Sequence, residues 1–199
     1  MHRPGNTLPH GFFENPDVVD AARNLLGKKI CSNAGGAFTS GYIIETEAYC
    51  GRNDKACHAN NGKRTPRTEV MFGEPGRAYI YLCYGIHHLF NVVTNREGLA
   101  DAVLVRAVLP EQGIEIMKER RILDSTKNLT NGPGKFTQAM GITTSLNKTR
   151  LSESPLWLEE SEIELTDSAI SESKRIGVDY AGRDADRLWR FTFDPQQLI

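Results

Sequence analysis

Polar and apolar positions alternate with a period of two over much of this chain, a pattern that predicts strands more often than helices. Residues 28–32 and 37–47 read as strands joined by the turn Asn33-Ala34-Gly35-Gly36. A regular second strand puts Glu45, Glu47 and Tyr49 on one face, with Ile44 and Thr46 on the other. Residues 78–83 and 88–94 form a predicted hairpin about Tyr84-Gly85. In it Tyr79 and Tyr81 share a face, as do Leu89, Asn91 and Val93. Residues 102–109 read as an apolar strand stopped by Pro110 and interrupted by Arg106; a buried arginine needs a carboxylate partner or a polar cavity. Short strands are expected at 156–158, 163–165 and 188–193.

Helical signals are fewer. Asn15 can cap and Pro16 suits a first helical position, so 17–26 should be a helix that Gly27 ends. Residues 113–121 and a short segment from Pro133 to Gly141 also read as helices. Between 51 and 74 the chain is polar and aperiodic, with Asn60-Asn61-Gly62 and Thr65-Pro66-Arg67 as breakers; an irregular stretch of that length is usually functional or disordered. Helices with hairpin-linked strands and no βαβ rhythm imply an α+β fold, a mostly antiparallel curved sheet flanked by helices. With 199 residues and 39% hydrophobic content the chain has material for one substantial core, hence one domain over 1–199, with 1–7 a candidate disordered arm.

Charge changes this picture little. A net charge of -1 does not mark a general polyanion binder, so any phosphate-binding surface must be a local patch. The candidates are Lys63, Arg64 and Arg67, and the region of Lys118, Arg120 and Arg121; each also reads simply as a solvated face. The cysteines at 31, 50, 57 and 83 form no Cys-x-x-Cys pair, and the opening Met1-His2-Arg3-Pro4-Gly5 carries no apolar leader, so a reducing, intracellular setting is expected. Cys50, Cys57 and His58 do not complete a tetrahedral ligand set, and no metal or cofactor is expected. No apolar run approaches the roughly 20 residues of a membrane span.

Candidate chemistry gathers in the middle of the chain. Glu45 and Glu47 have a bland reading as a half-solvated strand face, but apolar neighbours and the need of Arg106 for an anion favour a carboxylate base that activates water. His58, a lone histidine in a polar loop, reads more readily as structural or merely exposed than as functional, and Tyr81 could be ordinary core. Tyr84 fits a core poorly, since it falls at an expected turn, where an exposed ring suits wedging between stacked bases. Gly132-Pro133-Gly134-Lys135 reads either as a plain helix start or as a phosphate contact through helix N–H groups and the Lys135 ammonium.

Taken in order, Ile44-Glu45-Thr46-Glu47-Ala48-Tyr49, His58, Thr65-Pro66-Arg67, Met71-Phe72-Gly73-Glu74-Pro75-Gly76, the run Tyr79 to Gly85, Asn91 and Leu104-Val105-Arg106-Ala107 resemble the alkyladenine (3-methyladenine) DNA glycosylase family, in its mammalian-type branch. Phe12-Phe13, Leu25-Leu26-Gly27 and Arg175-Ile176-Gly177-Val178 extend the resemblance less specifically, from about Leu8 to Phe193. It implies a monofunctional enzyme acting on double-stranded DNA that contains damaged purines (3-methyladenine, 7-methylguanine, hypoxanthine, ethenoadenine), with no obligate protein partner, cytoplasmic if bacterial and nuclear if eukaryotic. By the same resemblance Glu47 takes a proton from the attacking water, with Arg106 holding both. Tyr49, His58 and Tyr81 line the base pocket, Asn91 crowds the amino group of guanine, and Tyr84 enters the duplex. Glu45 receives no chemistry. A cationic alkylpurine should stack especially well on such electron-rich rings. The loop at 60–64 and the pair His87-His88 depart from the mammalian pattern, leaving lesion range and DNA grip open. Two other readings use the same residues. A non-catalytic damaged-base DNA-binding protein would need neither Glu47 nor Arg106, and a metal-dependent hydrolase on Glu45, Glu47 and His58 would lack a compact ligand motif.

Overall fold

The fold is organised around one strand that pairs with three others. The computed structural model describes residues 3–198. Strand β1 (Lys29–Ser32) leads to the long β2 (Thr39–Tyr49); β3 (Ala78–Cys83) and β4 (His87–Thr94) form a hairpin, and β5 (Asp101–Gln112) follows. The later strands are β6 (Ser152–Glu153), β7 (Leu156–Glu159), β8 (Ile170–Ser173) and β9 (Arg190–Phe193). The sheet runs β3-β4-β5-β2-β1-β7-β6, with β9 joined to β2 and β8 to β9. Every strand pairing is antiparallel.

Strand β2 keeps β5 along one edge. On the other it pairs with β1 through Thr39 to Tyr42 and then with β9 through Glu45 to Glu47. That hand-over coincides with register shifts against β5 between Ile43 and Thr46, and such bulges bend a strand and sharpen its twist. Ile43 and Ile44, though consecutive, both pack in the main core, which a regular strand would not permit. Past the shift the alternation resumes: Thr46 donates to the Ala22 carbonyl on the helix side, while Glu45, Glu47 and Tyr49 face the other way.

The helix side is the larger core. Ile80, Phe90, Val92, Val103 and Val105 pack with Ala21, Ala22 and Leu25 around α2 (Val18–Asn24, after the short α1, His10–Phe13) and with Phe136, Ala139 and Met140 of α4 (Pro133–Met140). Helix α3 (Ile114–Arg121) contributes Met117 to the same core. The opposite face carries a second cluster in which Tyr79, Val93 and Ala102 meet Cys57, Ala59, Val70, Met71 and Phe72. The polar stretch 51–74 is therefore the cover of a second sheet face, and its aperiodicity reflects turns that drop single apolar residues inward. Its first glycine is obligatory by contact, since a Cβ on Gly51 would lie 2.5 Å from the Ala100 carbonyl oxygen.

Several local expectations are corrected. Asp17, not Asn15, caps α2 by accepting from Val19 N–H, and Pro16 lies before the cap. Pro110 does not stop β5: it sits opposite Gly41 beside a register shift, where its missing N–H is tolerated. Residues 163–165 are not a strand, and the last strand begins at Arg190 because Leu188 and Trp189 precede the pairing. Of the N-terminal segment expected to be a disordered arm, residues 1 and 2 lie outside the described residues. Gly5 donates to Glu159, the Asn6 carbonyl accepts from Glu160, and Thr7 bridges Glu159. Among the described residues no helix is long and apolar enough to cross a membrane.

Candidate active site

The second sheet face opens into a cavity of about 390 Å³. That size lies within the roughly 300–1,000 Å³ of small-ligand sites. Tyr49, His58, Arg67, Tyr79, Tyr81, Asn91 and Arg106 contribute to its walls, and Leu82, Cys83 and Tyr84 belong to its mouth. The sequence-expected Tyr49, His58, Tyr81, Asn91 and Arg106 are thus brought together from β2, the 51–74 cover, β3, β4 and β5. Glu47 is fully buried and sits behind that wall, not on it.

Glu47 is nevertheless tied to the wall on every side. Its Oε2 accepts from Arg106 Nη1 at 3.1 Å and from the Tyr49 hydroxyl at 2.7 Å, and its Oε1 accepts from the Ile176 N–H at 2.8 Å. Arg106 also donates through Nε to Glu45 at 2.9 Å, and Glu45 takes a second guanidinium from Arg190 at 2.6 Å. Burial by itself disfavours the Arg106 charge, but Glu47 and Glu45 outweigh it and hold the guanidinium charged above its usual range. Burial, with the Glu47 carboxylate next, pushes the Tyr49 phenol well above the ordinary tyrosine range, so this hydroxyl stays a donor. The expected anionic partner of Arg106 is therefore a pair of glutamates.

The opposite wall is aromatic and uncharged apart from Arg67. His58 Nδ1 lies 2.9 Å from the Tyr79 hydroxyl, and its ring meets Tyr81 edge-on with centroids 4.8 Å apart. Burial and the Arg67 charge lower the His58 pKa to about 4, so the ring is neutral at physiological pH. Arg67 Nη2 is 3.4 Å from His58 Nε2. Because a guanidinium only donates, Nε2 accepts and the ring proton belongs on Nδ1. Asn91 donates its amide N–H to the Tyr79 carbonyl at 3.0 Å, across the register pair that links β4 to β3.

At the mouth, Tyr84 occupies the first central position of the hairpin turn with φ 51°, followed by Gly85 at φ 74°; the Ile86 N–H closes the turn on the Cys83 carbonyl at 3.1 Å. Two left-handed residues in succession make a type I′ turn, which normally selects Asn, Asp or Gly at both places. A tyrosine there is strained and is 92% exposed, flanked by exposed Leu82 and Ile86.

The basic residues separate. Arg67 turns to the cavity, Arg64 is held by both oxygens of Glu69, and Lys135 reaches Asn131 from the first turn of α4. Lys63 is exposed on the cover. Arg120 and Arg121 are spent on protein acceptors at Ala139, Ala34 and Gln138, so they serve α3–α4 packing. No group of three potential metal ligands gathers among the described residues.

Arg175 was not legible as a site residue. It is buried against Asp54 by two bonds of 2.5 and 2.8 Å, donates to the Ala48 carbonyl, and lays its guanidinium 4.8 Å from the centre of the Tyr49 ring. It thereby backs Tyr49 and fixes the peptide whose next N–H, that of Ile176, holds Glu47. Its one sequence signal was the run Arg175-Ile176-Gly177-Val178, too short to carry a role unaided.

A cleft of this kind, aromatic on one side with a buried, arginine-bound carboxylate behind the other, suits a hydrolase that works on a bond beside a flat ring. Similarity to known proteins narrows that class. Residues 11–197 match the methylpurine-DNA glycosylase (MPG) family, and the chain belongs to it. A protein of Chlamydia pneumoniae named "Putative 3-methyladenine DNA glycosylase" is 47% identical over 191 residues, covering 95% of this chain and 96% of that one. Proteins of the same name from Clostridium acetobutylicum and Desulfitobacterium hafniense are 46% and 44% identical, covering 90% and 94% of this chain and 90% and 95% of their own. The protein is accordingly an enzyme of the N-glycosyl-hydrolysing class.

Proposed function

We propose that this enzyme is a monofunctional DNA glycosylase that draws a damaged purine out of duplex DNA into the cavity and hydrolyses its glycosidic bond. We further place it in the cytoplasm with the chromosome, as the bacterial sources of its relatives suggest. The observation that carries the reading is Glu47. It is fully buried, and Oε2 already accepts two hydrogen bonds while Oε1 accepts only one. A carboxylate oxygen has two acceptor sites, so the remaining place for a water proton is on Oε1. Water held there, with Arg106 fixing the carboxylate, is positioned for general-base activation.

As the base leaves, positive character grows on the sugar, and the Glu47 charge stabilises it. Extruding a base costs a few kcal/mol, less when it is damaged or mispaired. Stacking on aromatic side chains returns roughly 1–3 kcal/mol per base, so Tyr49 and Tyr81 can offset most of that cost. Tyr84 fills the space the nucleotide vacates, Asn91 crowds the edge that distinguishes guanine from hypoxanthine, and Lys63, Arg64 and Lys135 are the candidate phosphate contacts.

The experiment is release of free base from duplex oligonucleotides carrying 3-methyladenine, 7-methylguanine, hypoxanthine or ethenoadenine, with and without EDTA and with borohydride present. Free base, an uncut strand, no trapped protein–DNA adduct and indifference to EDTA are expected. Binding without release would favour a non-catalytic damaged-base binder. A trapped adduct would replace water with an amine nucleophile.

A further inference from the structure

The charges around the cavity balance except at one residue. Glu45 and Glu47 on β2 face Arg106 on β5 and Arg190 on β9, two against two, and Asp54 on the cover meets Arg175. Arg67 has no such counterpart: no carboxylate among the described residues is paired with it, and its polar partners at the wall are neutral. Its guanidinium instead lies 4.4 Å from the centre of the Tyr81 ring. One face of a stacking ring is therefore engaged by a cation before any base arrives. The same charge is the second cause, after burial, of the lowered His58 pKa, so its field reaches into the pocket.

We propose that Arg67 is a specificity-determining residue that sorts damaged purines by charge, favouring neutral lesions over N-alkylated bases that carry a fixed positive charge. The inference rests on the glycosylase reading above and refines the simpler expectation that electron-rich rings favour cationic bases. The attraction of a ring for a cation comes from its quadrupole, and Tyr81 already spends part of that attraction on Arg67. A cationic base in the cavity also meets the guanidinium as a like charge. A neutral base such as hypoxanthine meets no such repulsion, and its ring nitrogens and carbonyl oxygen are acceptors for a guanidinium donor.

Arg67 is exposed, so replacing it should spare the fold. The test measures single-turnover release of 7-methylguanine and of hypoxanthine from duplexes alike in all else, at saturating enzyme, for the parent, Arg67→Gln and Arg67→Lys. The ratio of 7-methylguanine to hypoxanthine release should rise about three- to tenfold in Arg67→Gln, the size expected of one partly solvated cation–ring contact. Arg67→Lys, which keeps the charge, should stay near the parental ratio. A ratio unchanged in Arg67→Gln overturns the proposal; if both rates fall together, Arg67 grips phosphate instead. A parent that releases neither these bases nor 3-methyladenine or ethenoadenine sinks the glycosylase reading itself, whereas release of both at a ratio unchanged in Arg67→Gln sinks only the role of Arg67.

Discussion

The floor of the cavity and the tip of the β3–β4 hairpin solve opposite problems. On the floor the charges are paired: Glu47 holds three donors, Glu45 two arginines, and Arg175 a bidentate aspartate. At the tip Leu82, Tyr84 and Ile86 stand in solvent on a strained turn. Charge taken out of water is tolerable only when paired, so the floor must be complete before substrate arrives. Apolar surface held in water is unfavourable until something covers it, so the tip is completed by its partner. The proposed function assigns chemistry to the preorganised region and capture to the unfinished one.

That contrast is broken most severely at Glu47. Glu47→Gln should slow base release by on the order of 10²–10⁴, the usual worth of a general base, while binding of an abasic-site analogue stays within a few-fold of the parent. Single-turnover assays decide it. Glu45→Gln should be milder, because Glu45 acts on Arg106 and not on the water. Equal losses from the two would mean that the pair works as one unit and that the floor has no single base.

Acid should distinguish the regions next. Free histidine protonates near pH 6.5, but His58 does so only at about 4. Between those values the unfolded chain takes up a proton that the native chain refuses, so stability falls as pH drops from 6.5 towards 4 and this contribution is complete above 6.5. The loss should reach about 3 kcal/mol, and His58→Gln should remove that part of the slope in urea titrations at pH 7, 5.5 and 4.5. An identical slope in the variant would place the sensitivity in another group.

The tip can be tested by relieving its strain. Tyr84→Asn puts a residue tolerant of positive φ where a type I′ turn wants one, so it should stabilise the protein by about 1 kcal/mol. Capture should weaken at the same time, with the fluorescence change of extruded ethenoadenine reduced about tenfold, within the worth of one stacking contact. A rise in melting temperature with undiminished capture would make Tyr84 an ordinary turn residue.

How far this contrast could be read from sequence follows from its physics. Period-two alternation placed Glu45, Glu47 and Tyr49 together and paired Tyr79 with Tyr81, because local geometry alone determines which strand residues share a face. The α+β class was legible for the same reason. The three-partner role of β2 was not, since a bulge reverses the alternation at Ile43 and Ile44 and no composition signal marks it. The requirement of Arg106 for an anion could be argued from burial cost, whereas Arg175 lies about seventy residues further along and meets Tyr49 only through the tertiary fold. The cover at 51–74 read as irregular because its buried residues answer to a cavity and not to a repeating element.

The smallest expected effect lies where the two regions meet. Asn91 stands on β4 beyond the turn that carries Tyr84, and its N–H is fixed on the Tyr79 carbonyl at 3.0 Å, so the amide has one orientation towards an inserted base. Guanine differs from hypoxanthine by one exocyclic amino group, and in the role proposed for Asn91 a rigid amide in its path would exclude guanine without penalising hypoxanthine. Asn91→Ser shortens the obstruction and frees the Tyr79 carbonyl to accept from the amino group. Excision of undamaged guanine relative to hypoxanthine should therefore rise roughly tenfold, the low end of what one small group in a pocket is worth. Single-turnover rates on paired duplexes give the ratio directly. If it holds while hypoxanthine release persists, Asn91 secures the β3–β4 register only, and discrimination against guanine must come from the capture step at the tip.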